Sequence, residues 1–157
     1  MDFEGFYNKA LKFLSYRPRS EKEVIDKLLK IKTPEHLVNE IIKKLKDYKF
    51  LDDLEFAKMF TRERSLLKHK PVRVIKFELK QKGISEDLIE EVLADSKEDE
   101  KDLGKAKEII QKKIARYKDL DSFKIKEKLS RFLVSRGFDY DTIKKAIDEF
   151  ISKENLH

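Results

Sequence analysis

Asp52 and Asp53, adjacent in the stretch FLDDLEFAKMF from Phe50 to Phe60, are the residues whose types and spacing most suggest chemistry. Two neighbouring carboxylates could hold a divalent cation, share a proton as an acid–base pair, or start a helix. Consecutive helical residues do not face each other, so a working pair would have to lie outside regular helix. Asp52 with Glu55 three residues on fits an N-cap and its capping partner, and Asp53 in the first turn complements the helix dipole. Phe56, Ala57 and Phe60 then supply the buried face, with Leu51 packing back as a staple. The three histidines, His36, His69 and His157, are scattered, with no His-Glu-x-x-His spacing. No phosphate-cradling GxxxxGKS loop or GxSxG elbow is present. The chain has no cysteine, which excludes a disulfide framework, a thiolate metal site and a Cys nucleophile. The sequence reads as a non-enzyme with no catalytic residue, metal ligand or cofactor motif.

Binding chemistry is better represented. Arg17 and Arg19 flank Pro18 ahead of a capped helix, and two planar forks there could grip a carboxylate or phosphate of a partner. Pairing with local Glu21 or Glu23 explains them equally well. From Lys58 to Lys82 nine basic residues face only Glu63 and Glu78. Arg73, Lys76 and Lys80 recur at i, i+3 and i+7 and share a helical face, flanked by Lys68, Lys70 and Lys82. This run is either a solvated surface or a patch that gains affinity by displacing counterions from phosphates. From Glu86 to Asp102 nine acidic residues face Lys97 and Lys101, which reads as a solvated connection or a segment repelling DNA. Lys124, Lys128, Arg131 and Arg136 read as ordinary surface. Tyr16, Tyr48, Tyr117 and Tyr140 could stack on bases but read as core.

The elements that must position these residues are helical. Of 157 residues 43% are charged and 39% hydrophobic, and eleven Phe argue against disorder. Four Gly, three Pro and abundant Lys, Glu and Leu favour helix. The net charge of +6 points to an anionic partner or to adaptation to heat. No apolar run approaches membrane-spanning length and MDFEGFYNK lacks the features of a signal peptide, so a soluble cytoplasmic protein is expected. The 3.6-residue period marks about nine helical segments and no strand. The first runs from about Phe3 to Tyr16 and ends at Pro18. Ser20 with Glu23 forms a capping box for the second, whose apolar face is Val24, Leu28 and Ile31 with Ile25 and Leu29. Thr33 caps the third, with Pro34 at its first helical position and Leu37, Ile41, Leu45 and Tyr48 on one face.

The pattern recurs. VIDKLLKIKTPEHLVNEII from Val24, VIKFELKQKGISEDLIEEVL from Val74 and KLSRFLVSRGFDYDTIKKAI from Lys128 place Leu29, Leu79 and Leu133 in register, 50 and 54 residues apart. Gly83 and Gly137 fall where a left-handed helix end is needed, with Thr33 near that point in a first unit one residue shorter. Three helices per period mean a tandem array in which each unit buries a face against its neighbour. The repeats are placed at 1–50, 51–97 and 98–157.

SYRPRSEKEV from Ser15, LDDLEFA from Leu51 and IKFELKQKGI from Ile75, in this order and spacing, resemble the RecX regulatory proteins of bacteria over about Tyr7 to Phe150. The resemblance implies an all-α fold of three tandem three-helix repeats, which would form an elongated, curved array. It also implies modulation, usually inhibition, of the RecA recombinase, from within the groove of the RecA filament on DNA. Strand exchange, ATP hydrolysis and the co-protease activity that triggers the SOS response would be suppressed. On that reading Arg17, Arg19, Lys68, Lys70, Arg73, Lys76, Lys80 and Lys82 are the candidate contacts to RecA or to single- or double-stranded DNA. A monomer that touches no membrane is expected. The loop that in the family often carries glycines before Pro-Arg here reads KHKPVRVIK, which is stiffer and more basic. The alternatives are a direct DNA-binding helical module or a general α-helical interaction scaffold. Against the former, Val24-Ile25 and Leu28-Leu29 suit burial better than base reading.

Overall fold

The computed structural model describes residues 1–94 and 97–154, and among them the chain is helical throughout. Most of the helices begin at a side-chain cap. Asp2 caps α1 (Phe3–Tyr16), accepting from the Gly5 N–H at 3.0 Å. Ser20 and Glu23 cap α2 (Glu21–Lys30) reciprocally, each accepting from the other's backbone N–H at 3.2 Å. For α3 (Glu35–Asp47), Pro34 occupies the capping position itself and Thr33 is buried before it. Thr33 was the expected cap, and no side chain caps this helix. Asp52 caps α4 (Asp53–Arg62) through the Leu54 and Glu55 N–H groups at 3.1 and 3.2 Å. Glu55 does not complete a box; its carboxylate lies 3.5 Å from Lys58 Nζ.

The chain then widens into a π turn, Glu63–Leu67, in which the Lys68 N–H reaches back to the Glu63 carbonyl at 3.3 Å. After α5 (Val72–Gln81), Ser85 caps α6 (Glu86–Leu93). Next come α7 (Glu98–Lys113), a 3-10 turn at Ile114–Tyr117, α8 (Ser122–Ser135) capped by Asp121, and α9 (Tyr140–Glu154) capped by Asp139.

The second helix of each three-helix set ends alike. The Thr33, Ile84 and Phe138 N–H groups donate to the Leu28, Leu79 and Leu133 carbonyls, and Lys32, Gly83 and Gly137 carry positive φ of 62°, 79° and 94°. This is the doubled hydrogen-bond helix end with a left-handed residue past the last turn. It corrects the register of the first repeat by one residue. Leu28 is fully buried with Leu79 and Leu133, while Leu29 is 53% exposed. The shift arises because Lys32, not a glycine, takes the left-handed conformation, so the first repeat lacks the marker that aligns the other two.

The helices sort into two compact units, Met1–Thr61 with Glu78–Ala94, and Arg62–Phe77 with Asp95–His157. In the first unit, Phe6, Tyr7 and Ala10 of α1 pack with Val24, Leu28, Ile41 and Leu45. In the second, Ala106, Ile109 and Ile110 of α7 pack with Leu129 and Leu133 of α8 and Ile143, Ala146 and Ile147 of α9. The middle repeat is thus shared out, its parts going to the neighbours they pack against. Burying an aliphatic side chain contributes roughly 1.5–3 kcal/mol, so these two clusters dominate the stability of their units.

Candidate functional site

Asp53 does not face Asp52's partners. Its carboxylate accepts from the Glu21 N–H at 2.8 Å, so it caps the start of α2 from 32 residues away. Asp102 does the same for α5, accepting from the Val72 N–H at 3.0 Å in a buried position. Burial pushes both carboxyls above the ordinary aspartate range, partly offset by these backbone donors. A cation follows at the next residue in each case. Lys22 Nζ donates to the Gln81 carbonyl at 3.3 Å and Arg73 Nη2 to the Gly137 carbonyl at 2.6 Å. The corner glycines close the same contacts. A Cβ on Gly83 would stand 2.6 Å from Lys22 Cβ, and one on Gly137 2.5 Å from Val74 Cγ2. Two residues singled out for chemistry, Asp53 and Arg73, are therefore parts of a repeated join between successive repeats.

Beside the second join lies the basic loop. Lys105, buried on α7, donates to the Lys70 carbonyl at 2.6 Å and sits 3.7 Å from Asp102. Burial lowers its ammonium below the usual lysine range, against the raising effect of Asp102. His69, at φ 51°, is held with Nδ1 3.3 Å from Glu108 and Nε2 3.1 Å from Lys112 Nζ. A ring with its proton on Nδ1 satisfies both contacts, donating to Glu108 and accepting from Lys112.

The remaining sequence candidates fall into the two units separately. In the first, Arg17, Arg19 and Lys82 converge on Glu23 at 2.6, 3.8 and 3.5 Å. Arg19 also stacks on Phe13, 3.9 Å from its ring centre. Burial raises the Glu23 carboxyl, but the Arg17 hydrogen bond, the Ser20 N–H and the charges of Lys82 and Arg17 outweigh it and hold it below the glutamate range. Lys80 pairs with Glu86 at 3.2 Å. In the second unit Lys76 pairs with Glu98 at 3.6 Å, and Lys68 is exposed. Arg17 and Arg19 thus share one carboxylate, as the local-pairing reading supposed.

Sequence reasoning missed a second basic group in the second unit. Lys112 and Lys113 at the end of α7 and Arg136 past α8 line a cleft of about 360 Å³ with Lys68, Leu67 and Phe132. Lys113 Nζ lies 3.6 Å and the Arg136 guanidinium 4.8 Å from the Phe132 ring centre. The run from Lys112 to Lys118, with four cations and no carboxylate, was the available signal. Arg136 departs from the ordinary-surface reading of its set, whereas Arg131 pairs with Glu127 at 3.1 Å.

Of the other residues considered for chemistry, His157 and the Asp95 of the acidic run lie outside the described residues. Among the described residues no three His, Asp or Glu side chains come together to hold a metal, and no helix is long and apolar enough to cross a membrane. Tyr16, Tyr48 and Tyr140, read as core, are exposed.

Comparison with known proteins agrees with the repeat pattern. Family profiles for the first, second and third three-helix domains of RecX match residues 7–45, 52–93 and 99–147. The Regulatory protein RecX of Bacillus velezensis is 38% identical over 148 residues, covering 94% of this chain and 56% of the relative. A Clostridium botulinum protein of the same name is 39% identical, covering 92% and 68%. The crystal structure of RecX from Lactobacillus salivarius superposes with a TM-score of 0.76 at 33% identity, covering 94% of this chain and 95% of that one. The chain spans just over half the length of its Bacillus relatives. With three matching repeats in order and a relative matched over most of its own length, the chain belongs to the RecX family of regulatory proteins.

Proposed function

We propose that this chain binds the RecA filament on DNA as a cytoplasmic monomer and lowers its recombinase, ATPase and co-protease activities in DNA repair and the SOS response. The observation that carries the reading is the match of all three repeats, in order, to the three RecX domains. The chemistry is compatible with it: regulation by occupancy requires surfaces rather than a reaction centre. Tandem repeats offer successive contacts, and restraining neighbouring filament subunits at several points would impede their rearrangement.

Two groups of cations are proposed as the contacting residues. One is Arg17, Arg19, Lys80 and Lys82, and the other Lys68, Lys70, Arg73 and Lys76. Partner carboxylates or phosphates would compete with Glu86 and Glu98 for Lys80 and Lys76, an exchange of exposed ion pairs that costs little. For Arg17, Arg19 and Lys82 they would compete with Glu23, which is largely buried and holds its cations more firmly. The test is DNA-dependent ATP hydrolysis by RecA with this protein added below stoichiometry. Slowed hydrolysis is expected, and no effect at any of several ionic strengths would sink the proposal. Lys68→Glu with Lys76→Glu probes the second group without touching Arg73, whose removal would also damage the join.

A further inference from the structure

The cleft of Lys68, Lys112, Lys113 and Arg136 differs from the other basic surfaces. Where Arg17, Arg19 and Lys82 share Glu23, and Lys76 and Lys80 have glutamates of their own, no carboxylate lines this cleft among the described residues. Basic residues at helix C-termini answer the helix dipole, and that would account for one cation at the end of α7 and one after α8. It does not account for two more converging on the same space. The crowding is visible in Lys113, whose ammonium is lowered first by partial burial and then by the charges of Arg116 and Arg136. Such a concentration of like charge destabilises the fold unless an anion relieves it.

The composition of the site favours one anion class. Three of its four cations are lysines, which act as point charges toward phosphate, and the Arg136 fork matches a phosphate bidentately. Exposed Leu67 and the ring of Phe132 add apolar surface beside the charge, the combination used to track one nucleic-acid strand and pack against its bases. We infer that this cleft, between the 67–69 loop and the C-terminal ends of α7 and α8, binds the phosphodiester backbone of single-stranded DNA. The inference names the nucleic-acid contact of the function proposed above and rests on that reading for the choice of DNA; the site itself involves no recombinase.

The test is fluorescence anisotropy of a labelled oligothymidine of about 20 nucleotides with the full chain and no recombinase. Four phosphate contacts predict a roughly 50-fold loss of affinity between 50 and 200 mM salt, from a slope of about −0.7 per contact. Lys113→Glu with Arg136→Glu should weaken binding at least about 10-fold and flatten the salt slope by about 1.4. Lys124→Glu with Lys128→Glu, the same change of net charge on α8 outside the cleft lining, should shift affinity less than about 2-fold, the expectation for net charge acting at a distance through salt. Lys113→Gln with Arg136→Gln serves if the reversal impairs folding, and flattens the slope equally. Equal losses in the two charge reversals, or no binding of the oligomer, overturn the assignment. Tighter binding of a duplex or of polyglutamate overturns it in favour of that ligand. Slowed RecA ATPase by a chain that binds no oligomer would refute this inference and leave the proposed function standing.

Discussion

Replacing Asp102 by Ala tests the join between the second and third repeats where its parts are most tightly coupled. The substitution removes the acceptor of the Val72 N–H and the carboxylate beside buried Lys105. Loss of a helix cap costs about 1 kcal/mol. Stranding a buried charge costs about 3–5 kcal/mol, but Lys105 keeps the Lys70 carbonyl at 2.6 Å and its distance to Asp102 is 3.7 Å. The stranding cost is therefore taken below that range, at about 2 kcal/mol, and with the cap we expect a total near 3 kcal/mol, or about 6–12 °C in Tm for a chain of this size. Removing Lys105 as well takes away the stranded charge. Asp102→Ala with Lys105→Met should therefore be more stable than the sum of the single changes by about 2 kcal/mol. Thermal unfolding followed by circular dichroism at 222 nm reads all four corners of the cycle. A fall in Tm below about 2 °C for Asp102→Ala, or strict additivity in the double variant, would refute the reasoning.

Two further expectations concern the same architecture. Gly137→Ala should cost about 1–3 kcal/mol, because its φ of 94° is left-handed and the new Cβ meets Val74 at 2.5 Å. Gly104→Ala, mid-α7 with nothing within 4 Å of the new Cβ, should stabilise by about 0.5–1 kcal/mol; calorimetric Tm values in the opposite order would be fatal to the glycine argument. Carboxyl-detected NMR titration should place Asp53 and Asp102 above the ordinary aspartate value of 3.8 and Glu23 below the ordinary glutamate value of 4.5. The aspartates, holding their protons more tightly when folded, contribute stability that is full below 3.8 and lost as pH rises through their native values. Glu23 contributes stability that is full above 4.5 and lost as pH falls through its native value. Either aspartate titrating below 3.8, or Glu23 above 4.5, would contradict the assignments.

Local signals in the sequence translated directly into structure. Ser20 with Glu23, Asp52 before α4, and the glycines at 83 and 137 each act within a few residues, so their types and spacing are sufficient. The register of the first repeat slipped because Lys32 adopts a conformation its type does not announce. Asp53 and Asp102 were opaque for a different reason: the amides they cap lie 32 and 30 residues away. Only tertiary packing brings a carboxylate to such a partner. The basic surfaces divide along the same line. Helical spacing put Arg73, Lys76 and Lys80 on one face, but it carries no information about Glu98, Glu86 or the Gly137 carbonyl, which engage them. The cleft draws Lys68, Lys112 and Arg136 from three separate segments, so no window of the sequence displays it whole.

The join has a direction. Each copy has a receiving side, made of the first amide of a second helix and the cation after it, and a giving side, made of the aspartate and glycine corner of the next repeat. Because the two sides differ, repeats can be added head to tail without inventing a new contact, as in heterologous assembly of separate subunits. A whole repeat can be gained or lost while the remaining joins stay intact; a single inserted residue within a repeat would break one. The receiving side is not reproduced on α8. That helix starts one turn earlier, so Lys126 stands where Glu21 and Val72 stand and its amide is already spent inside the helix. Growth beyond α9 would need a different kind of contact from the two the chain already uses.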